Sequence, residues 1–141
     1  MAIALRKART IIRKALEKGR AMQLKPLSVI VLDAGGNVLA FEREDGASPG
    51  RFQIAHGKAY GAIMFGAPSS VIAEVSIERP HFGAALNGVF GGQVVPVPGG
   101  VLVKDRKGAV IGAVGVTGDT SENDAEAALT GIVAAGLEGL A

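Results

Sequence analysis

Apolar residues recur at helical spacing near the start of the chain, and basic residues occupy the other faces. The apolar positions are Leu5, Ala8, Ile12, Ala15 and Leu16. Repeats of three and four residues are typical of an amphipathic helix with one buried face. The pattern predicts a helix over about residues 2–22, and Pro26 marks the break that follows it.

Two segments, residues 31–38 and 103–110, share the pattern V-x-D-x-x-G-x-V. In each segment Asp starts a turn, Gly accepts a dihedral angle that other residues rarely adopt, and Val resumes a strand. The strands predicted around the two turns span 28–33, 38–43, 101–104 and 109–116. The repeated pattern therefore predicts two antiparallel hairpins in one sheet.

The stretch between the hairpins is predicted to be mainly helical. Apolar residues at helical spacing predict a helix over 51–64, and Pro68 fits the first turn of another helix. That second helix is predicted to end near Ile77, because an Arg-Pro dipeptide follows it. The remaining predictions are a short helix or loop over 81–92 and a short strand over 93–95.

Capping residues predict where the last helix begins. Ser121, with Asp124 three positions later, resembles a capping box, and acids in the first turns suit the helix dipole. The apolar face that follows comprises Ala127, Ala128, Ile132, Ala135 and Leu137. The order α-β-β-α-α-β-β-β-α predicts a single α+β domain over residues 1–141, with an antiparallel β-sheet flanked by helices.

The composition narrows the possible chemistry. The chain has 21 Gly among 141 residues, with no Cys and no Trp. The absence of Cys excludes disulfides, thiolate nucleophiles and Cys-ligated metal sites. Gly112, Gly115 and Gly118 do not have the spacing of a nucleotide-binding loop, and they predict close approach of a helix, a ligand or another subunit to the sheet.

The net charge of +2 is unevenly distributed along the chain. Residues 1–32 contain eight Lys or Arg and one acid, whereas the remainder contains seven Lys or Arg and twelve acids. A basic helix of this kind either faces nucleic acid or a membrane, or packs beside acidic residues of its own chain or of a neighbouring subunit. The scarcity of aromatic residues and of nucleic-acid motifs favours the second interpretation.

Hydropathy bears on the location of the protein. The N-terminal residues carry charges every few positions, and the longest charge-free stretch is interrupted by Pro and Gly. A secretory signal or a membrane-spanning helix needs an uninterrupted apolar segment. The sequence therefore predicts a cytoplasmic protein with no membrane or nucleic-acid partner.

The two histidines, His56 and His81, are candidate iron ligands. They do not have the spacing of a metal site built from protein ligands alone. Either imidazole, with an ordinary pKa of ~6.5, could ligate haem iron or transfer a proton, and a structural or surface role is open for both. His81 lies beside Arg79 and Phe82, and this group of a cation, an imidazole and an aromatic ring would suit a planar ligand with carboxylates.

Charged residues supply two further candidates for a site. Lys58 adjoins a stretch of small, uncharged residues, where it could extend harmlessly to solvent or pair with the carboxylate of Asp45, of Asp124 or of a ligand. The polar run 42–46 directly follows a strand, and it is either a solvated strand end or part of a binding loop.

Five motifs in order resemble one family. They are FEREDGA at 41–47, IAHGKA at 54–59, VPVPGGV at 95–101, VIGAVGVTG at 110–118 and ND at 123–124. This series is similar to the GlcG/HbpS-like family of haem-binding and glycolate-utilisation-associated proteins, and to the C-terminal module of PduO-type cobalamin adenosyltransferases. The resemblance covers nearly the whole chain.

The resemblance implies a small domain with a central antiparallel sheet, and close dimers that assemble further into hexamers or octamers. It also implies haem binding or a redox-linked accessory role, as in some members of the family. The polar pocket of the family maps onto Arg43, Asp45, Lys58, Gly99, Gly100 and Asp124. These six residues, with His81 and Phe82, are the predicted ligand-binding residues, and His81 or His56 is the predicted ligand of haem iron.

Three functions are open at this point. The first is that of a homo-oligomeric protein that binds haem or a related planar ligand bearing carboxylates. The second is that of an isomerase, tautomerase or hydratase-like enzyme of small hydroxy- or keto-acid catabolism, with Lys58, Asp124 and His56 as candidate catalytic residues. In such an enzyme Arg43 and Lys58 would hold the carboxylate, and Asp124, Asp45 or His56 would transfer the proton. The third is a purely structural role as an oligomeric accessory protein.

Overall fold

The computed structural model describes all 141 residues and contains five helices and five strands. The helices are α1 Leu5–Ala21, α2 Arg51–Phe65, α3 Ser69–Glu78, α4 Pro80–Val89 and α5 Ser121–Ala134. The strands are β1 Ser28–Asp33, β2 Val38–Arg43, β3 Gly100–Lys104, β4 Val110–Thr117 and β5 Glu138–Leu140.

The five strands form one antiparallel sheet in the order β2-β1-β4-β3-β5. Helices α1 and α5 cover one face of the sheet over the larger hydrophobic core, and α2 covers the other face. Helices α3 and α4 pack together beside α2 around a small third cluster. The predicted α+β class, with helices flanking an antiparallel sheet, is confirmed.

The two predicted hairpins are present, and their turns are built in the same way. In the first, Asp33 Oδ1 accepts hydrogen bonds from the N–H groups of Gly35 and Asn37 at 2.9 Å each. In the second, Asp105 Oδ1 accepts them from Lys107 at 2.9 Å and Ala109 at 3.0 Å. Gly36 in the first turn and Gly108 in the second each lie three residues after the Asp. Their φ angles are positive, at +82° and +80°. Local turn chemistry therefore defines both hairpins.

Two glycines let α2 lie unusually close to the sheet. Gly100 of β3 and Gly115 of β4 are direct partners across the two strands. A Cβ atom on Gly100 would collide with the Lys58 carbonyl group, and one on Gly115 would collide with the Ala55 carbonyl oxygen. The close approach of another backbone, predicted from the strand glycines, is thus made by α2.

Three details differ from the sequence prediction. Residues 93–95 are not a strand, because Val95 N–H donates to the Gly57 carbonyl of α2 and prolines follow at 96 and 98. Strand β5 is an additional strand, too short to leave a pattern in the sequence. The cap of α5 is Thr120, whose side chain accepts from Asn123 N–H, so the predicted Ser121 capping box is wrong.

The sequence leaves residues 81–92 open between a short helix and a loop. In the structure these residues fall largely within α4.

None of the five helices is by itself both long and apolar enough to cross a bilayer. Helices α2 and α3 taken together would meet the length and composition requirement, but they are bent by 80° relative to each other.

Gly115→Ala is expected to destabilise the protein, because the new methyl group would push α2 off the sheet. Overpacking of this kind costs about 1–3 kcal/mol of unfolding free energy, measured by urea denaturation. Gly88→Ala is the matched control, since Gly88 lies in α4 with open space around it. This control should be neutral or stabilising, by up to about 1 kcal/mol. Equal effects of the two substitutions would contradict the close contact between α2 and β4.

Candidate functional site

Lys58 and Asp124 form a buried ion pair at the centre of the molecule. Their side chains, Nζ and Oδ2, are 3.1 Å apart, and the residues are only 2% and 1% exposed. Lys58 Nζ also donates to the Val116 carbonyl at 3.0 Å, and Asp124 Oδ1 accepts from the Asp119 N–H at 3.0 Å. The pair therefore joins α2 to the beginning of α5 past the end of β4.

Small residues make room for the lysine between α2 and β3. Gly99, with a φ of +124°, lies against the end of the Lys58 side chain. Burial lowers the pKa of Lys58 and raises the pKa of Asp124, and in each case the opposite charge of the partner counteracts the effect of burial. The Val116 carbonyl and the Asp119 N–H give each charge one further hydrogen-bonding partner within the chain.

Asp119 organises the loop that leads into α5. Its Oδ1 accepts from Lys25 N–H at 3.0 Å, and its Oδ2 accepts from Thr120 N–H and Asn123 Nδ2 at 2.8 Å each. These hydrogen bonds, with that of Asn123 first, lower the pKa of Asp119 from 3.8 to about 2. Asp119 is not among the site residues predicted from the sequence, because its contact with Lys25 links positions 94 residues apart.

His56 lies in a row of rings on the outer flank of α2. Its imidazole is stacked between Phe52, at a centroid distance of 6.0 Å, and Tyr60, at 5.2 Å. Phe41 of β2 extends the row by an edge-on contact with Phe52 at 4.9 Å. Because α-helical residues four apart share a face, the F-x-x-x-H-x-x-x-Y spacing of α2 indicates this stack in the sequence.

A cleft of about 390 Å³ adjoins this row of rings. It is lined by Val38, Phe52, Gln53, His56, Gly92 and Gln93. The side-chain hydrogen bonds of α2 are made by Arg51 and Lys58, so the ring nitrogens of His56 are not engaged by the chain. Partial burial lowers the pKa of His56 below 6.5, which favours the neutral imidazole at pH 7.

His81 has different surroundings, at the start of α4. It is exposed, and none of the main clefts includes it. Its neighbour Phe82 is partly buried against Phe65, and the Arg79 guanidinium lies 4.6 Å from the centroid of the Phe82 ring. The predicted cluster of cation, imidazole and aromatic ring is therefore used largely within the chain, as a cation–π contact and a packing contact.

Arg43 is the last residue of β2, and Asp45 lies in the loop that follows the strand. They line a groove of about 450 Å³ together with Arg20, Glu42 and Glu44 of the same region. Arg43 Nη1 makes only a long contact, 3.4 Å, with the Ala47 carbonyl oxygen. Both side chains are exposed to solvent.

The structure thus divides the predicted polar pocket into two parts. Lys58, Asp124, Gly99 and Gly100 come together in the interior, whereas Arg43 and Asp45 line the surface groove. His56 adjoins a third place, the aromatic cleft, and His81 with Phe82 lies on α4. Of these groups, His56 combines a free ring nitrogen with a cleft.

Lys58→Met is expected to lower the unfolding free energy by about 3–5 kcal/mol, because it leaves the Asp124 carboxylate buried and unpaired. Asp124→Asn should be destabilising for the reciprocal reason. The double variant is expected to lose less than the sum of the two single losses, with a coupling of about 0.5–3 kcal/mol in urea denaturation. Strictly additive losses would show that the two charges do not stabilise each other.

Asp119→Asn is expected to destabilise the protein in a pH-dependent manner. The pKa of Asp119 is lower in the folded protein, at about 2, than its ordinary 3.8, so its contribution is complete above pH ~4 and is lost as the pH falls towards 2. The difference in urea midpoint between wild type and variant should therefore be larger at pH 6 than at pH 3. Asp45→Asn, at an exposed carboxylate, is the control. A difference for Asp119→Asn that does not change between the two pH values would contradict this role.

Comparison with known proteins reveals several similar chains. A 15.0 kDa protein encoded in the dhaT-dhaS intergenic region of Citrobacter freundii is 35% identical over 126 residues, which cover 88% of this chain and 82% of the relative. A crystal structure described as a PduOC:heme complex superposes with a TM-score of 0.88 at 25% identity, covering 100% of both chains. The crystal structure of HbpS matches with a TM-score of 0.82 at 29% identity, over 94% of this chain and 89% of that one.

A further solved structure, protein ORFY of Klebsiella pneumoniae, has a TM-score of 0.86 at 26% identity, over 95% of this chain and 90% of the other. The family model described as "Haem degrading protein HbpS-like" matches residues 3–133, which include all the elements of the fold except the last residue of α5 and strand β5. The resemblance seen in the five sequence motifs is therefore confirmed, and the chain belongs to the HbpS-like family.

Proposed function

We propose that this protein is a self-associating haem-binding protein and that His56 is its iron ligand. The observation that carries the proposal is the partly buried imidazole of His56, held between two aromatic rings beside a cleft. The match to a haem-degrading family and the likeness to a protein crystallised with haem support haem as the ligand class.

The chemistry of His56 fits an iron ligand. An imidazole must be neutral to coordinate a metal, and the lowered pKa of His56 favours that form at pH 7. Stacking on Phe52 and Tyr60 restricts rotation of the ring, so little additional order is required when a ligand binds. Metal ligands are commonly held in this way by their neighbours.

The shape of the cleft suits a flat ligand that is only partly enclosed. Its volume lies within the range of about 300–1,000 Å³ typical of small-molecule sites. Val38 and Phe52 give it an apolar wall, and Gln53 and Gln93 place amide groups at its rim, where they can donate to carboxylates. A haem with its propionates at the rim would use both kinds of surface.

The residues of the chain and the ligand would have separate tasks. Haem, when bound, supplies an iron centre capable of redox chemistry. His56 would hold the iron, and Phe52, which lines the same cleft, would pack against the ligand. The Lys58–Asp124 pair lies on a different side of α2 from His56. Its hydrogen bonds within the chain favour a structural role over proton transfer.

His56→Ala is expected to abolish the shifted Soret band that wild-type protein should produce when titrated with haem. His81→Ala is the matched control, because it removes the other imidazole from an exposed position on α4, and it should leave the spectrum unchanged. Circular dichroism of each variant would verify that the fold is retained. A wild-type spectrum identical to that of free haem would refute haem binding. Loss of the band in His81→Ala alone would refute His56 as the ligand.

A further inference from the structure

The basic residues of α1 fall into two separate rows. With about 100° of rotation per residue, the lysines at positions 7, 14 and 18 fall within about 40° of one another. Arginines 6, 9, 13 and 20 fall within an arc of about 60° on a different side of the helix, next to Leu5 and Leu16. The buried residues of α1 occupy the side between these rows that faces the core.

The lysine row is satisfied by the chain itself. Lys7 Nζ donates to the Ala135 carbonyl at 3.0 Å, Lys14 pairs with Glu17 at 3.0 Å, and Lys18 approaches Glu126 at 3.7 Å. The contacts of Lys7 and Lys18 hold α1 against α5, and that of Lys14 lies within α1. The lysines of α1 therefore need no external partner.

The arginine row is different. Arg20 pairs with Glu44 at 3.2 Å, but Arg6, Arg9 and Arg13 take part in no salt bridge. The row lines a groove of about 630 Å³, in which the only acid is Glu42. Guanidinium groups have fixed donor forks that bind carboxylates in pairs. The groove is thus a cationic surface with two apolar residues, Leu5 and Leu16, and unused donors.

A surface with the opposite character lies on α3. Glu74 and Glu78 are exposed and take part in no salt bridge, and Ile77 between them is 80% exposed, more than any other large apolar residue. The three residues share one face of the helix, because they are three and four positions apart. This face therefore presents two carboxylates around an unusually exposed isoleucine.

The two surfaces match in spacing and in polarity. Glu74 and Glu78 are four residues apart, as are Arg9 and Arg13, so each pair spans about 6 Å along its helix. Ile77 corresponds to the apolar Leu5 and Leu16 of the groove. Arg79, which follows Glu78 in the sequence, makes a cation–π contact with the Phe82 ring.

We infer that the arginine groove of α1 binds the Glu74–Ile77–Glu78 face of α3 in a second copy of this chain. Within one chain the two cannot meet, because α1 packs with α5 on one face of the sheet and α3 packs with α2 and α4 on the other side. The contact is therefore head-to-tail, and repetition of it produces a closed ring or an open chain of subunits. The inference rests on the self-association proposed above and identifies the surfaces responsible for it.

Two reciprocal charge reversals test the contact. Arg9→Glu/Arg13→Glu and Glu74→Arg/Glu78→Arg should each raise the concentration at which the assembly dissociates by at least about tenfold, as measured by native mass spectrometry and light scattering. An equimolar mixture of the two variants should restore assembly with strictly alternating subunits, and a closed ring formed in this way would contain an even number of them. Arg106→Glu/Lys107→Glu, in the exposed β3–β4 turn, makes the same charge change as the first variant and should leave the assembly intact.

The possible results separate this inference from the proposed function. If the wild-type protein is monomeric throughout the accessible range, the proposed self-association is wrong and the interface is wrong with it. If the wild type assembles and neither reversal alters its mass, the α1–α3 contact alone is overturned. If the arginine variant dissociates but the mixture does not reassemble, the groove binds something other than α3. Thermal unfolding of each variant would verify that its fold is retained.

Discussion

The ion pair between Lys58 and Asp124 constrains the rest of the structure, because neither charge has access to water. Removing two charges from solvent is expensive, and attraction between them offsets that expense only where the geometry is good and the remaining hydrogen-bonding groups are satisfied. Here the Val116 carbonyl and the Asp119 N–H complete the arrangement. The pair consequently requires α2, the end of β4 and the beginning of α5 to keep one relative position.

The glycines of the sheet serve the same requirement. A lysine can reach Asp124 from α2 only if the helix lies close to β3 and β4, and the cross-strand pair of Gly100 and Gly115 permits this distance. Gly99 leaves space for the end of the lysine side chain. What first looks like an excess of flexible residues is therefore a set of positions at which any side chain would separate the two layers.

Features governed by neighbouring residues could be predicted from the sequence, and features governed by distant contacts could not. The hairpin turns followed from Asp and Gly at fixed offsets, since each turn is closed by its own side chain. The sequence offered Asp45, Asp124 or a ligand as the carboxylate partner of Lys58, but the choice of Asp124 depends on packing between positions 66 residues apart. The short strand predicted at 93–95 failed for the same reason, because α2 takes the hydrogen bond that a neighbouring strand would have accepted.

The distribution of unsatisfied groups indicates where the fold can bind something. In the interior, Lys58 and Asp124 are buried and paired with each other, and a ligand could reach them only by displacing part of the packing that encloses them. At the periphery, His56 and the arginine row of α1 keep donor or acceptor atoms that the chain does not use. Binding there adds interactions without removing any, so the free energy of a new contact is not spent on disrupting the fold. The same packing that makes the central pair structural therefore leaves the outer faces of α1 and α2 available for recognition.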